Sequence, residues 1–173
     1  NFEGDSDEYE IFDSSVKRLS SPIGSSFEIG IRRGMGSKMI IDAYRKYHPN
    51  LNNHIHIGLD PYGELPYNFS EDRKLNTDHD YTNIMKREMI INFSKKYKKF
   101  NFINLDTFEF FKRFKDGYPI YSKVKRIINK FEIVHFDGLH DIENVTLEIN
   151  YFLDHLSDQT IFILDDIDTF DFE

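Results

Sequence analysis

The chain has 173 residues, of which 39% are hydrophobic and 30% are charged, and its net charge is −8 at pH 7. This length supports one domain with a sizeable core, and a sequence without cysteine excludes disulfides, thiolate metal sites and cysteine nucleophiles. No apolar run approaches the ~20 residues of a membrane span, and residues 1–7 lack the apolar core of a signal peptide. We therefore expect a cytoplasmic protein with no membrane partner.

The charge is divided unevenly along the chain. Residues 86–130 carry 13 basic and 4 acidic side chains, whereas residues 131–173 carry 12 acidic side chains and no lysine or arginine. We interpret the basic segment as solvated helix faces, because its lysines flank apolar positions at helical spacing, and we do not expect a nucleic acid partner. The acidic segment would repel itself unless a cation lay nearby.

Hydrophobic periodicity predicts helices and strands in alternation. Helices are predicted at 7–19, 37–47, 81–97, 106–114, 120–130 and 141–157, and strands at 27–31, 55–59, 102–105, 133–136 and 161–164. We interpret residues 1–26 as an N-terminal helix and linker, and 27–173 as the core of a single domain. Short apolar strands that alternate with helices are typical of the α/β class, here a doubly wound, mostly parallel Rossmann-like sheet with helices on both faces.

A long polar segment, 64–80, separates the second strand from the next helix. It contains Pro66 and has no sustained hydrophobic period, so we predict a loop. Long loops in compact domains are often binding loops. We expect Tyr67, Phe69, His79 and the adjoining Tyr81 to contribute to a substrate site.

Glycines follow the first predicted strand. Gly30, Gly34 and Gly36 fall within seven residues, just before a predicted helix, where a backbone without Cβ atoms can approach a ligand closely. Their spacing differs from the Gly-x-Gly-x-x-Gly of dinucleotide sites, and no Gly-Lys-Ser/Thr follows. The pattern therefore indicates ligand binding but argues against NAD and nucleoside triphosphates.

Polar side chains also follow the second and third predicted strands. Asp60 comes directly after the second strand, where a carboxylate can accept both hydroxyls of a ribose or can simply belong to a turn before Pro61. Asp106 and Thr107 follow the third strand, and their oxygens could contact an adenine edge or cap the next helix.

Carboxylates follow the fourth and fifth predicted strands. Asp137 comes after the fourth, and Asp165 and Asp166 come after the fifth. In doubly wound sheets these two strands are neighbours, so the three acids are expected to converge at one edge. Their oxygens suit a hard divalent cation such as Mg2+, and His140 could be a further ligand or a general base.

Four segments together resemble the class I S-adenosylmethionine-dependent methyltransferases. They are Glu28-Ile29-Gly30 through Gly34-Met35-Gly36-Ser37, then Gly58-Leu59-Asp60-Pro61, then Phe136-Asp137-Gly138-Leu139-His140, then Ile163-Leu164-Asp165-Asp166. The chain is most similar to the metal-associated group of macrocin O-methyltransferase-like and cephalosporin-hydroxylase-like proteins. The resemblance implies an O-methyltransferase that uses S-adenosylmethionine, with Mg2+ or another hard divalent cation, on a hydroxyl of a sugar or small natural product.

The resemblance also implies roles for individual residues. Glu28, Gly30, Gly34, Gly36 and Ser37 would line the methionine end of the cofactor, Asp60 would hold its ribose, and Asp106 or Thr107 would lie near adenine. Asp137, Asp165 and Asp166 would bind the metal, and His140, with Asp137, would serve catalysis.

The family sheet has seven strands, whereas five are predicted here, so we expect the last two strands to be lacking. An open sheet edge of this kind could be covered by a second subunit in a homo-oligomer. The competing interpretation is a non-catalytic nucleoside-binding or scaffold domain of the same fold. A nucleic-acid methyltransferase is disfavoured, because Asp60-Pro61-Tyr62 lacks the second proline of the motif that acts on amino groups.

Overall fold

Five parallel strands form the central sheet of the computed structural model, which describes residues 9–63 and 81–166, Phe2, Gly4 and the backbone of 68–70 and 73–74. In chain order the described elements are α1 (Glu10–Arg18), β1 (Ser25–Ile29), α2 (Met35–Tyr47), β2 (Ile55–Leu59), β3 (Asn68–Ser70), β4 (Arg73–Lys74), α3 (Asn83–Lys96), β5 (Phe100–Ile103), α4 (Thr107–Arg113), β6 (Tyr118–Tyr121), β7 (Lys125–Ile128), β8 (Phe131–Phe136), α5 (Ile142–Leu153) and β9 (Leu156–Leu164). The sheet order is β5-β2-β1-β8-β9. The predicted doubly wound α/β sheet is therefore confirmed.

Helices cover both faces of this sheet. Phe27 and Ile29 of β1 point to the face that carries α4 and α5, where they pack in one hydrophobic cluster with Phe110 and Phe152. On the opposite face α1 and α2 pack against β8 and β9, and α3 packs beside α2. Because side chains alternate along a strand, Glu28, which lies between Phe27 and Ile29, points to the opposite face, toward α2. Its register partners on β2 and β8 face the same way.

The predicted helix at 120–130 is wrong. Residues 118–121 and 125–128 form an antiparallel hairpin, β6–β7, in which Tyr118 pairs with Ile128. The apolar residues of this segment fit both a helical and an alternating period, and the contacts of Tyr118, Ile120 and Ile128 with the core cluster favour the hairpin. The basic charges of this segment therefore lie on a hairpin instead of a helix face.

Several other predicted boundaries differ; the third predicted strand, 102–105, is observed two residues earlier as β5, Phe100–Ile103. β1 ends at Ile29 instead of residue 31, because Gly30 turns the chain with a φ of +79°. α5 ends at Leu153, four residues before the predicted end, because the last strand begins at Leu156, which pairs with Phe131. The edge strand β9 is consequently longer than predicted.

The predicted loop 64–80 lies mostly outside the described residues. Its described part is the backbone of the short antiparallel pair β3–β4. The side chains of Tyr67, Phe69 and His79 lie outside the described residues as well. Tyr81 is described, and its ring lies 6.2 Å from that of Tyr62. Among the described residues, each helix is too short or too polar to cross a membrane.

Candidate active site

A cavity of about 440 Å³ lies at the carboxyl ends of β1, β8 and β9, beside α1. Its lining combines apolar side chains of α1 and β9 with polar groups from the strand ends and the glycine turn. The polar groups and glycines that line it are Gly4, Ser15, Arg18, Glu28, Arg32, Gly36, His135, Asp137 and Asp165. Ligands of doubly wound sheets bind at this edge, so this cavity is the candidate active site.

The glycine turn is shaped by its neighbours. At Gly30, φ is +79° and a Cβ would overlap the backbone carbonyl of Asp137. Gly34 is the left-handed residue that precedes α2, with a φ of +84°. At Gly36 a Cβ would overlap the carboxylate of Glu28. These glycines therefore let the strand ends and the Glu28 side chain come together, and Gly36 among them lines the cavity.

Glu28 is the centre of a buried polar network and is 1% exposed. Its Oε1 lies 3.0 Å from Nδ1 of His135, and its Oε2 accepts a short hydrogen bond from the Ser37 hydroxyl. His56 Nε2 lies 2.8 Å from Ser37 Oγ and 3.8 Å from Glu28 Oε2. Burial alone would raise the pKa of Glu28, but the interactions with His135 and His56 outweigh it and lower the pKa to about 2. Glu28 is therefore a buried carboxylate anion.

Asp60 lies at the end of β2 and anchors the glycine turn. Its Oδ2 accepts hydrogen bonds from the backbone N–H groups of Ile31 and Arg32, both at 2.9 Å. Its Oδ1 is buried and has no hydrogen-bond partner among the described residues. Burial raises the pKa of Asp60 to about 7, although both N–H groups act in the opposite direction. The Oδ2 of Asp60 thus holds the glycine turn, and its Oδ1 is an acceptor without a partner among the described residues.

Asp106 is the N-cap of α4. Its Oδ1 accepts a hydrogen bond of 2.7 Å from the backbone N–H of Glu109, and Thr107 is the first helical residue. This is the capping role that the sequence left open for Asp106. Neither residue lines the cavity beside α1.

The carboxylates at the ends of β8 and β9 meet because of strand register. The parallel pairing matches His135 with Ile163 and Phe136 with Leu164, so the following residues, Asp137 and Asp165, stand side by side. One ring nitrogen of His135 and one carboxylate oxygen from each aspartate lie within 4.8 Å of one another. Carboxylate and imidazole groups at this spacing can hold a divalent cation.

His140 and Asp166 lie next to this group. His140 Nε2 is 3.8 Å from Oδ1 of Asp137 and 3.9 Å from Oδ2 of Asp166. The His140 side chain is 12% exposed. Among the described residues, Asp166 does not belong to the metal-compatible group, whose third member is His135. The role of Asp166 as a metal ligand, predicted because it adjoins Asp165 in sequence, stays a prediction.

The sequence analysis missed His135 and His56. Both are polar residues inside otherwise apolar strands, and both lie on the same face as Glu28: the register pairs Glu28 with His135 on one side and Ser26 with His56 on the other. A polar residue at alternate positions of three buried strands is a signal that could have identified them.

Solved structures share this fold. A methyltransferase described as dependent on S-adenosylmethionine (SAM), from Agrobacterium tumefaciens, is 12% identical (TM-score 0.53) over 90% of this chain and 42% of its own. CalS11, a calicheamicin methyltransferase, is 13% identical (TM-score 0.59) over 92% and 63%; its apo structure, described as a TDP-rhamnose 3'-O-methyltransferase, is 16% identical (TM-score 0.53) over 92% and 62%. Methyltransferase PaMTH1 of Podospora anserina, solved with bound SAH, is 14% identical (TM-score 0.51) over 95% and 64%.

These likenesses concern the fold, and the present chain spans 42 to 64% of the length of those proteins. No curated protein sequence matches the chain at a significant level. A family profile does match: the family described as a methyltransferase domain covers residues 27–167, from β1 to just beyond β9. The chain therefore belongs to this methyltransferase family, as the resemblance in its strand-end motifs predicts.

Proposed function

We propose that this chain is the catalytic domain of an S-adenosylmethionine-dependent O-methyltransferase that acts, with a divalent metal ion, on a hydroxyl of a sugar or small natural product. The observation that carries the proposal is the cavity beside the glycine turn, into which Glu28, His135, Asp137 and Asp165 all open. A methyl donor and a hydroxyl acceptor need a shared site of this kind, with acidic groups close to the reacting oxygen.

The residues present fit the cofactor. The unpartnered Oδ1 of Asp60 is a buried acceptor at the end of β2, where a ribose would bind. The glycine turn, held by the other oxygen of Asp60, would admit the methionine end of the cofactor beside Gly36 and the carboxylate of Glu28. When bound, S-adenosylmethionine supplies an electrophilic methyl group on a sulfonium sulfur.

The strand-end acids fit a divalent cation. Asp137 and Asp165 stand side by side and present oxygen donors to one position, and Asp166 is adjacent. A cation held there would favour the deprotonated form of an acceptor hydroxyl that binds to it. Asp137 and Asp165 would in this way orient the acceptor oxygen as well as hold the metal.

His140 is the proposed general base. Its Nε2 lies 3.8 Å from a carboxylate oxygen of Asp137 and 3.9 Å from one of Asp166. A proton taken from the acceptor hydroxyl would produce an imidazolium, which two neighbouring carboxylates stabilise electrostatically.

A sugar hydroxyl is the acceptor class that the comparisons favour. CalS11, which shares the fold, is described as a TDP-rhamnose 3'-O-methyltransferase. For this chain we propose that Tyr81 and the segment 64–80 before it help to bind the acceptor, since in sequence this segment connects β2, which ends just before Asp60, to α3.

The proposal is tested by titration calorimetry of S-adenosylmethionine and S-adenosylhomocysteine, first in EDTA and then with Mg2+. We expect micromolar binding, weakened at least about tenfold by Asp60→Asn, which removes one charged acceptor. Asp158→Asn is the matched control, because Asp158 is an exposed residue near the other end of β9.

A folded protein that binds neither compound would refute the proposal and favour the scaffold interpretation. If both compounds bind, a screen of hydroxylated acceptors, beginning with nucleotide-linked sugars, identifies the substrate. Methyl transfer to an amine or a nucleic acid, with hydroxyl acceptors inert, would also refute the O-methyltransferase assignment.

A further inference from the structure

The hydrogen bonds of Glu28 determine where His135 carries its proton. A carboxylate only accepts hydrogen bonds, so the short contact at Oε2 is donated by the Ser37 hydroxyl, and the contact at Oε1 is donated by His135 Nδ1–H. In the neutral imidazole of His135 the lone pair is consequently on Nε2.

His135 is one of the residues that line the cavity. His135 is 4% exposed, and its hydrogen bond is made through Nδ1 to Glu28. Among the described residues, Nε2 has no hydrogen-bond partner. It is also not among the unpartnered atoms that are inaccessible to solvent, so part of its surface is accessible. The rings of Phe12 and His135 pack in a T-shaped arrangement with their centroids 4.8 Å apart, and this contact restricts rotation of the imidazole. The Nδ1–H of His135 is thus engaged by Glu28, and the lone pair on Nε2 is left for a ligand in the cavity that this residue lines.

Two carboxylates, those of Asp137 and Asp165, lie close to a ring nitrogen of His135. Asp137 follows the last residue of β8, two residues after His135, and the parallel register brings Asp165 beside it. The three donor groups lie within 4.8 Å of one another, a separation that one ion can span. The arrangement of carboxylate, histidine and metal position is a common way to orient a metal-binding imidazole.

We propose that His135 Nε2, Asp137 and Asp165 bind a first-row transition-metal dication, with Mn2+ and Fe2+ preferred over Mg2+, and that Glu28 positions His135 for this role. Imidazole nitrogen suits Fe2+ and the later first-row dications, and Mn2+, the weakest-binding member of that row, still accepts nitrogen more readily than Mg2+ and Ca2+, which prefer sites made of oxygen donors. The donor set therefore revises the expectation of a hard cation that the acids alone suggest.

The inference rests on the proposed function only for the role of the metal in methyl transfer. The binding of the metal does not depend on that function. Metal binding can be measured without any cofactor or acceptor. Failure of one proposal is therefore distinguishable from failure of the other. Mn2+ binding without S-adenosylhomocysteine binding would refute only the proposed function, and S-adenosylhomocysteine binding without Mn2+ binding would refute only the metal site.

The test uses Mn2+ alone with the whole purified protein, followed by electron paramagnetic resonance and competition with Mg2+. We expect one Mn2+ per chain, bound at least about tenfold more tightly than Mg2+. Pulsed spectra should contain the 14N modulation of a coordinated imidazole. His135→Asn should abolish this modulation and reduce the preference for Mn2+, and Glu28→Gln should weaken Mn2+ binding about 10- to 100-fold.

His48→Gln is the matched control, because His48 is the C-cap residue of α2, does not line the cavity and has its Nε2 3.0 Å from the carbonyl of Val16. Wild-type protein without 14N modulation, or with Mg2+ bound as tightly as Mn2+, would overturn the inference even if the variants do not fold. Unchanged modulation in folded His135→Asn protein would overturn it as well.

Discussion

Glu28 and His135 are neighbours across two parallel strands, and the Oε1 of the first lies 3.0 Å from the Nδ1 of the second. They are separated by 107 residues in sequence. Both face α2, and the same carboxylate accepts a hydrogen bond from Ser37 in the first turn of that helix. This single buried anion therefore joins two strands and a helix directly under the candidate active site.

Glu28→Ala should destabilise the fold strongly. The substitution leaves the Ser37 hydroxyl and the His135 N–H without their buried acceptor, and each unpaired buried group costs about 1–3 kcal/mol. We expect the free energy of unfolding, measured by urea denaturation, to fall by about 3 kcal/mol or more. Glu88→Ala is the control, because Glu88 is exposed and makes an ion pair of 3.5 Å with Arg33; it should cost about 1 kcal/mol or less. Equal costs would contradict the role of Glu28.

Glu148 should make stability depend on pH. It is 1% exposed on α5, and neither carboxylate oxygen makes a hydrogen bond of ordinary geometry with the described residues. Burial raises the pKa of Glu148 to about 8; nearby Thr107 opposes this, and the charge of Asp141 adds to it. Since the unfolded pKa is about 4.3, the folded state binds the extra proton between these values, and stability is lost as the pH rises from about 4 to 8.

The measurement is urea denaturation at a series of pH values for wild type, Glu148→Gln and the exposed control Glu143→Gln. Glu148→Gln should flatten the decline, whereas Glu143→Gln should leave it unchanged. Part of the decline should remain in Glu148→Gln, because burial also raises the pKa of Asp60, to about 7. Burial lowers the pKa values of His54 and His56, which act in the opposite direction over this range, so the comparison between the variants is decisive. A pH dependence in Glu148→Gln that is identical to that of the wild type would contradict this prediction.

Gly30→Ala should be far more damaging than Gly63→Ala. Both glycines have a positive φ, +79° and +133°, so alanine is strained at either position. A Cβ at Gly30 would also overlap the carbonyl of Asp137, whereas a Cβ at Gly63 would meet no atom within 4 Å. We expect Gly30→Ala to lower the free energy of unfolding by about 3 kcal/mol or more and Gly63→Ala by about 1–2 kcal/mol. Thermal and urea denaturation of the two variants decide this, and equal losses would argue against the overlap.

His140→Gln should slow methyl transfer without weakening cofactor binding. General-base catalysis contributes typically about 10²–10⁴-fold, so kcat should fall by at least about 100-fold once an acceptor is known. The affinity for S-adenosylhomocysteine should stay within about twofold of wild type, with His48→Gln as the control. Without its base, the variant should depend on hydroxide, so its kcat should rise more steeply with pH than the kcat of the wild type. An unchanged kcat, or a kcat whose pH dependence equals that of the wild type, would contradict the role of His140 as the base.

Much of the fold follows from local pattern. Apolar strands such as 55–59 and 133–136 alternate with amphipathic helices, and this alternation by itself predicts a parallel sheet with its ligand edge at the strand ends. The side-by-side placement of Asp137 and Asp165 follows from the same rule and agrees with the register of β8 and β9. The hairpin at 118–128 could not be read in this way, because its apolar positions satisfy both periods and only packing on the core separates them.

The sequence by itself determined the fold class, the glycine turn and the acids at the strand ends, because each depends on residues close together in the chain. Tertiary structure alone decided that His135 stands with Asp137 and Asp165, and that Glu28 fixes its proton. These contacts depend on which strands are neighbours and on their register, and a shift of one residue in that register would turn each side chain to the opposite face of the sheet.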